Sequence, residues 1–223
     1  MSELNLLVID TSTSVTVLGL QKGDIVIDRS LHNAKTHSRK ILSSISELLV
    51  EAELNLGELD GIVFGQGPGS FTGLRIAVGI VQGLAYGANL TVIPVSSMAV
   101  LAQAVGLQNG HIFVGLSARL EEIYYGTYEL KNGLVFETGL EGVKEVSDLH
   151  KLPGNVWCLV TDAVHLLDKI SKSVGVDFNE VFTKTVPTVT ALLAMGVHKH
   201  TQGQFVTALE ATPVYLREQV VRK

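Results

Sequence analysis

Two short segments of the chain carry groups that could bind a phosphate and its metal ion. Asp10 is followed directly by four hydroxyl residues, in the order Thr-Ser-Thr-Ser, and residues 65–73 read GQGPGSFTG. A carboxylate can hold a hydrated magnesium ion, and glycines let backbone N–H groups approach a phosphate closely. A nucleotide site is therefore the first hypothesis to test.

Neither segment meets the requirements of a known phosphate loop. The glycine-rich segment has no lysine, and Ser70 and Thr72 occupy the places where a dinucleotide fingerprint needs its third glycine. The loop Asp10–Ser14 has an acid but no glycine. Ser117–Leu120, which joins the first two predicted strands in the second half of the chain as Asp10–Ser14 does in the first, has neither an acid nor a glycine. GPGSFTG also departs from the G-x-S-x-G elbow of serine hydrolases. These patterns favour a tight strand-to-helix turn capped by Ser70 or Thr72.

Composition excludes several other classes of function. None of the 7 histidines has the H-E-x-x-H spacing of a zinc site, and the single Cys158 cannot form an internal disulfide, which fits a reducing cytoplasm. The net charge of -5 argues against binding of nucleic acid by the chain alone. The start, MSELNLLVIDTSTS, is not a signal peptide, and the most apolar stretch, Ile76–Leu90, is shorter than a membrane span. We expect a soluble cytoplasmic protein.

The hydrophobic pattern predicts two α/β units in succession. Residues 1–106 read as strand, strand, strand, helix, strand, helix, strand, helix, and a similar order begins again at His111, with helices near Val146–Leu152 and at Ala163–Ile170. Two such RNase H-like units are the plan of the actin-like ATPase (ASKHA) superfamily, here with a degenerate nucleotide site. We divide the chain into residues 1–106 and 107–223, and leave open whether the C-terminal segment packs back on the first unit.

The helix predicted after the glycine-rich loop, from Ser70 to about Tyr86, has two unlike faces. One face is broadly apolar and suited to packing on a sheet. On the other, Gly79, Gly83 and Gly87 recur at every fourth position, although an interior glycine costs roughly 1 kcal/mol of helix stability against alanine. Small residues at this spacing let a second helix approach closely, whereas packing inside the fold would explain one or two of them.

We therefore predict that this helix and the preceding one form a protein interface, and that the mean hydropathy of +0.33 reflects apolar surface reserved for it. On the first helix, the predicted partner-interface residues are His37, Lys40, Ile41, Ser44, Leu48 and Glu51. On the second helix they are Arg75, Gly79, Gln82, Gly83 and Tyr86.

Five segments together resemble one protein family. They are Leu7–Thr13 (LVIDTST), His37, Gly65–Arg75 (GQGPGSFTGLR), Ala118–Tyr124 (ARLEEIY) and Pro213–Arg217 (PVYLR). They are similar to the TsaB family, also called YeaZ, over nearly the whole chain, and the GPGSFTGLR block is highly specific. Members act in the threonylcarbamoyl modification of adenosine beside the anticodon of bacterial tRNAs.

The resemblance implies a noncatalytic companion of the paralogue TsaD, which carries the metal and performs the transfer. It implies pairing with TsaD through the first-unit helices, with the ATPase TsaE joining the pair and contact with tRNA only through the complex. The interface predicted from the helix pattern would form either a homodimer, when the chain is alone, or a pair with a related protein of the same fold. The resemblance implies no cofactor or metal of the chain's own, and Asp10, Thr11, Ser12 and Thr13 become a vestigial nucleotide loop. Ser117 and Thr212 stand where relatives often have acids. The alternative is a weak nucleotide hydrolase or glycoprotease-like peptidase.

Overall fold

The chain forms a mixed α/β fold, seen in a computed structural model that describes residues 4–31, 37–154 and 156–216. The strands of the first half are β1 (Asn5–Asp10), β2 (Val17–Lys22), β3 (Ile25–Asp28), β4 (Gly61–Gly65) and β5 (Val92–Val95). Those of the second half are β6 (Gly110–Ser117), β7 (Glu122–Lys131), β8 (Leu134–Glu137), β9 (Gly142–Glu145), β10 (Cys158–Thr161) and β11 (Glu180–Phe182). The helices are α1 (His37–Glu51), α2 (Phe71–Ala88), α3 (Ser97–Ala104), α4 (Leu167–Val174) and α5 (Val189–Thr201).

The described residues divide into two compact units. The first comprises those up to Val100 together with Val186–Val214, and the second comprises Leu101–Thr185 with the start of the C-terminal segment from Tyr215. The division therefore falls inside α3, several residues before the predicted position between 106 and 107. The segment whose place the sequence left open, including α5, belongs to the first unit up to Val214.

The sheet of the first unit has the strand order β3-β2-β1-β4-β5. The pairs β1–β2 and β2–β3 are antiparallel, while β1–β4 and β4–β5 are parallel. All five residues of β4, GIVFG, are buried, because helices cover both faces of the sheet and a continuous apolar run is what such a strand requires. The two loops that end β1 and β4 therefore emerge side by side at one edge of the sheet.

Helices α1 and α2 share one core with the sheet. Their residues Ile41, Leu48, Ala77 and Val81 belong to one buried hydrophobic cluster together with residues of β1, β2 and β4. On α5, Gly196 sits so close to β4 that a Cβ atom there would lie 2.4 Å from Val63 Cγ2. Hydroxyl side chains cap two of the described helices. Ser70, one of the two caps predicted for α2, accepts a hydrogen bond from Gly73 N–H, and Thr188 at the start of α5 accepts one from Ala191 N–H.

The sheet of the second unit repeats the topology of the first. Its order, β8-β7-β6-β10-β11, has antiparallel β6–β7 and β7–β8 pairs and parallel β6–β10 and β10–β11 pairs. The Asn132-Gly133 turn joins β7 to β8 with positive φ at both residues, which is the geometry that this dipeptide favours. The duplication inferred from the element order is thus visible in the order and direction of the strands.

The two units differ in the connection that follows the third strand. In the first unit α1 lies between β3 and β4, whereas the described residues between β8 and β10 contain strand β9 and a 3-10 turn at Val146–Asp148. The helix predicted at Val146–Leu152 is therefore wrong. Val146 and Leu149 are both buried beside α4, and their spacing of three suits a 3-10 turn as well as it suits an α-helix.

Candidate functional site

The two segments that first suggested a nucleotide site pack tightly against each other. A Cβ atom on Gly65 would lie 2.2 Å from Asp10 Oδ2, one on Gly69 would lie 2.4 Å from the Ser12 carbonyl oxygen, and one on Gly73 would lie 1.9 Å from the Thr11 carbonyl oxygen. Real side chains do not tolerate such distances, so each of these three positions requires glycine. These glycines allow residues 65–73 to pack directly against residues 10–12.

Four backbone N–H groups of these two segments already have acceptors inside the protein. Ser12 N–H donates to Asp10 Oδ1 at 2.6 Å, and Ser70 N–H donates to the Ser12 carbonyl oxygen at 2.7 Å. Gly67 N–H donates to Ser97 Oγ at 3.1 Å, and Gly73 N–H to the Ser70 hydroxyl at 3.2 Å. An anion placed here would have to break these bonds before it could form its own.

Asp10 itself is enclosed. Its side chain has no solvent exposure, and its Oδ2 has no hydrogen-bond partner. Burial raises the pKa of this carboxyl above its ordinary value, and hydrogen bonding from Ser12 only partly offsets that effect. Among the described residues, no group of three or more His, Cys, Asp or Glu side chains is placed to hold a metal ion. The Asp10 carboxyl is thus used inside the protein, where its Oδ1 accepts the hydrogen bond from Ser12 N–H.

A pH dependence of stability follows from the raised pKa of Asp10. Above a pH of about 4, the carboxyl ionises in the unfolded state but keeps its proton in the folded state, so the folded state binds more protons. The free energy of unfolding therefore falls as pH rises, by about 1.4 kcal/mol per pH unit, until the pH passes the folded-state pKa. Asp10→Asn keeps the acceptor for Ser12 N–H and removes the titration. In urea unfolding between pH 4 and 7, the stability of this variant relative to the parent should rise with pH. Asp24→Asn, at an exposed turn, is the control, and parallel curves for Asp10→Asn and the parent would contradict the assignment.

The matching loop of the second unit is also satisfied internally. Ser117 N–H donates to Asp162 Oδ1 at 2.6 Å, and a tight turn connects β6 to β7, with Leu120 at a φ of 50° and 95% exposed. Residues 117–120 themselves contain no acid, but the fold supplies Asp162 from the end of β10. The sequence signal for it is an acid at the end of a buried strand: Asp162 directly follows β10, and Asp10 is the last residue of β1.

The second candidate is the outer face of α2. The inner face is held in the core by Leu74, Ala77, Val81 and Ala85. Gly79, Gly83 and Gly87 are exposed, and a Cβ atom on any of them would meet nothing within 4 Å. Packing within the fold therefore does not explain these glycines, in contrast to those at 65, 69 and 73.

Apolar and aromatic side chains border this glycine face. The Arg75 guanidinium lies 3.8 Å from the centroid of the Phe71 ring, and Phe71 and Tyr86 are 56% and 76% exposed. Within the described residues, α2 is the helix whose length and composition would suit a membrane span, with 18 residues, a mean hydropathy of 1.2 and 22% of that window buried. Because its buried positions pack against the sheet, the unusual feature of α2 is the large apolar surface that it leaves uncovered.

The structure divides the predicted interface residues of α1 into two groups. The prediction that Ile41 and Leu48 contact a partner is wrong, because both side chains are fully buried in the core of the first unit. They lie seven residues apart, two turns along the same inward-facing stripe as Ile45. Lys40 and Glu51 are exposed, Ser44 is half-buried and Glu51 is ion-paired with Arg29, while the His37 side chain lies outside the described residues.

The predicted residues of α2 are nearly all at the surface. Arg75, Gly79, Gly83 and Tyr86 are exposed. Gln82 is half-buried, and its side-chain amide donates to the Ala211 carbonyl oxygen at 2.9 Å, so it attaches the C-terminal segment instead of facing a partner. Sequence reasoning missed two exposed apolar residues of α1, Leu42 at 58% and Val50 at 76%. Their spacing of eight on one outward stripe was the available signal.

Known proteins resemble the chain along its whole length. The model of the TsaD family, described as tRNA N6-adenosine threonylcarbamoyltransferase, matches residues 31–202. The tRNA threonylcarbamoyladenosine biosynthesis protein TsaB of Haemophilus influenzae is 31% identical over 100% of this chain and 98% of its own, and that of Escherichia coli is 29% identical over 99% and 97%. The crystal structure of YeaZ from Pseudomonas aeruginosa superposes with a TM-score of 0.85 at 30% identity, covering 96% of this chain and all of that one.

These matches cover both units, the glycine-rich loop and α2 in a single alignment with TsaB proteins. The chain therefore belongs to the TsaB family, also called YeaZ.

Proposed function

We propose that this chain is a noncatalytic scaffold subunit of the bacterial complex that makes tRNA threonylcarbamoyladenosine. In this proposal it binds the catalytic paralogue TsaD through the outer face of α2, the ATPase TsaE joins the pair, and tRNA is reached only through the assembled complex in the cytoplasm. Alone, the chain forms a homodimer through the same face. The relatives' names support the pathway, and the match of residues 31–202 to the TsaD family model supports a partner of like fold.

One observation carries the scaffold role. Gly79, Gly83 and Gly87 have no neighbour within 4 Å of an added Cβ atom, yet they interrupt an α-helix whose outer surface is apolar. Each of these glycines lowers helix stability by roughly 1 kcal/mol against alanine. In the isolated chain they therefore cost stability without permitting any close contact. A helix of another subunit that packs against this stripe can approach the backbone closely and cover the apolar surface.

The loops support the absence of catalysis. In the first unit, the N–H groups of Ser12, Ser70 and Gly67 donate to Asp10 Oδ1, the Ser12 carbonyl oxygen and Ser97 Oγ, respectively. In the second unit, Ser117 N–H donates to Asp162 Oδ1. We infer from the repeated sheet order that the fold is the two-unit plan of the actin-like ATPases, with both phosphate loops closed. The competing function is a weak nucleotide hydrolase or a glycoprotease-like peptidase, and its best support is the single buried carboxyl of Asp10.

Calorimetry on the purified chain separates the two functions. Titration with TsaD from the same bacterium should give a saturable heat. Titration with ATP and magnesium at up to millimolar concentration should give none, because the N–H groups of Ser12, Gly67, Ser70 and Gly73 already have acceptors inside the protein. Micromolar ATP binding that Asp10→Ala abolishes would contradict the scaffold role and favour the weak nucleotide hydrolase. A chain that binds neither TsaD nor ATP would overturn the proposed function outright.

A further inference from the structure

A segment near the C-terminus runs alongside α2 and is here called the strap, residues 206–214. Its first residue, Val206, exchanges two backbone hydrogen bonds with Val92 of β5, at 2.8 and 2.9 Å. Its last residue, Val214, donates to the Gln66 carbonyl oxygen at 2.8 Å. Val92 lies just after the end of α2 and Gln66 lies shortly before its start, so the strap runs antiparallel to the helix.

The middle of the strap is fixed at several points. Ala208 and Ala211 are 8% and 0% exposed and belong to the same hydrophobic core as α2. Gln82 Nε2 donates to the Ala211 carbonyl oxygen at 2.9 Å. Thr207 donates from both its backbone N–H and its hydroxyl to Glu210 Oε2, which closes a 3-10 turn between them. The turn therefore has one conformation set by its own bonds and by α2.

Leu209 stands out on this fixed turn. It lies between the buried alanines and is itself 78% exposed. Since Ala211 is level with Gln82 and the strap runs antiparallel, residue 209 lies beside the last turns of α2. Tyr86, 76% exposed, is one turn beyond Gln82 on the same side of the helix. Leu209 and Tyr86 thus border one flank of the glycine face.

We propose that the strap forms one wall of the surface that binds the partner subunit, with Leu209 in contact with the partner and Gln82 as the positioning residue that holds the wall in place. The inference rests on the proposed function. The partner it fits is a subunit of the same fold that presents an apolar helix to α2. A leucine held on a rigid turn contributes apolar contact without the entropic cost of ordering a loop on binding.

A double-mutant cycle tests the proposal, with the affinity for TsaD measured by calorimetry and stability measured by urea unfolding. Leu209→Ser should weaken pairing about tenfold while the unfolding transition stays unchanged, since an exposed side chain is removed. Gln82→Met fills the same space without the amide donor and should weaken pairing to a similar extent, because the side-chain bond that holds the middle of the strap to α2 is lost. The double variant should bind no more weakly than the weaker single variant.

The controls separate this inference from the function on which it rests. Leu140→Ser removes a leucine that is 92% exposed on the second unit and should leave pairing unchanged. If Leu209→Ser and Gln82→Met both bind like the parent while Gly79→Leu abolishes pairing, the strap is not part of the interface and the scaffold role stands. Additive losses would show that Gln82 contacts the partner directly and would overturn its positioning role. If Gly79→Leu also pairs normally, the proposed interface itself is wrong.

Discussion

Gly79→Leu and Gly83→Leu should each reduce pairing with TsaD by at least about a hundredfold, which corresponds to roughly 2.7 kcal/mol. Packed helices lie 8–10 Å apart, and a stripe of glycine permits the short end of that range. A leucine at either position fills the space that the partner helix needs. Both positions are open in the isolated chain, so the added side chain meets nothing within 4 Å of its Cβ atom and the monomer keeps its fold.

Light scattering and calorimetry with TsaD measure this effect. The matched control, Lys172→Leu, adds the same side chain to an exposed position on α4 in the second unit and should leave pairing intact. Charge reversal at Arg75 and truncation at Tyr86, as Arg75→Glu and Tyr86→Ala, should weaken the same complex. Normal pairing in all of these variants would exclude α2 as the interface.

Gly73→Ala should have the largest effect on stability, lowering the unfolding free energy by about 3 kcal/mol or more. The new methyl group would lie 1.9 Å from the carbonyl oxygen of Thr11, a backbone atom that cannot rotate away. The Thr11 hydroxyl also donates to the Gly73 carbonyl oxygen at 2.6 Å, so the strain would reach a bond that joins the two loops. Either the start of α2 or the loop after β1 must move.

Gly79→Ala is the matched control in the same helix. Nothing lies within 4 Å of its added methyl group, so the higher helix propensity of alanine should raise stability by up to about 1 kcal/mol. Urea unfolding of the two variants side by side should therefore give shifts of opposite sign. Shifts of equal sign and size would mean that the contact with residues 10–12 does not require glycine at position 73.

This contrast between glycines marks the limit of what the sequence predicts. Periodicity found α2 and its buried face, because Leu74, Val81 and their neighbours recur at helical spacing. It could not tell Gly73 from Gly79, since the difference lies in what approaches each residue from a distant part of the chain. The hydrogen bond from Gln82 to Ala211 spans 129 residues and has no local signal, so the sequence did not predict this contact.

Other differences have the same physical origin. On α1 the apolar face is broad, and the pattern alone did not decide that Ile41 and Leu48 point to the core while Leu42 and Val50 point outward. Motif requirements argued against a functional phosphate loop on chemical grounds. They did not predict that the closed loops supply their own acceptors, with Asp10 in one unit and Asp162 in the other.

The connection after the third strand bears on the size of the proposed assembly. Within the described residues, the pair of helices that would receive a partner in our proposal occurs only in the first unit, although β6, β7, β8, β10 and β11 repeat the order of the first sheet. We therefore propose that pairing through α2 stops at two subunits of like fold. A second copy of this face in the same chain would permit head-to-tail growth into filaments.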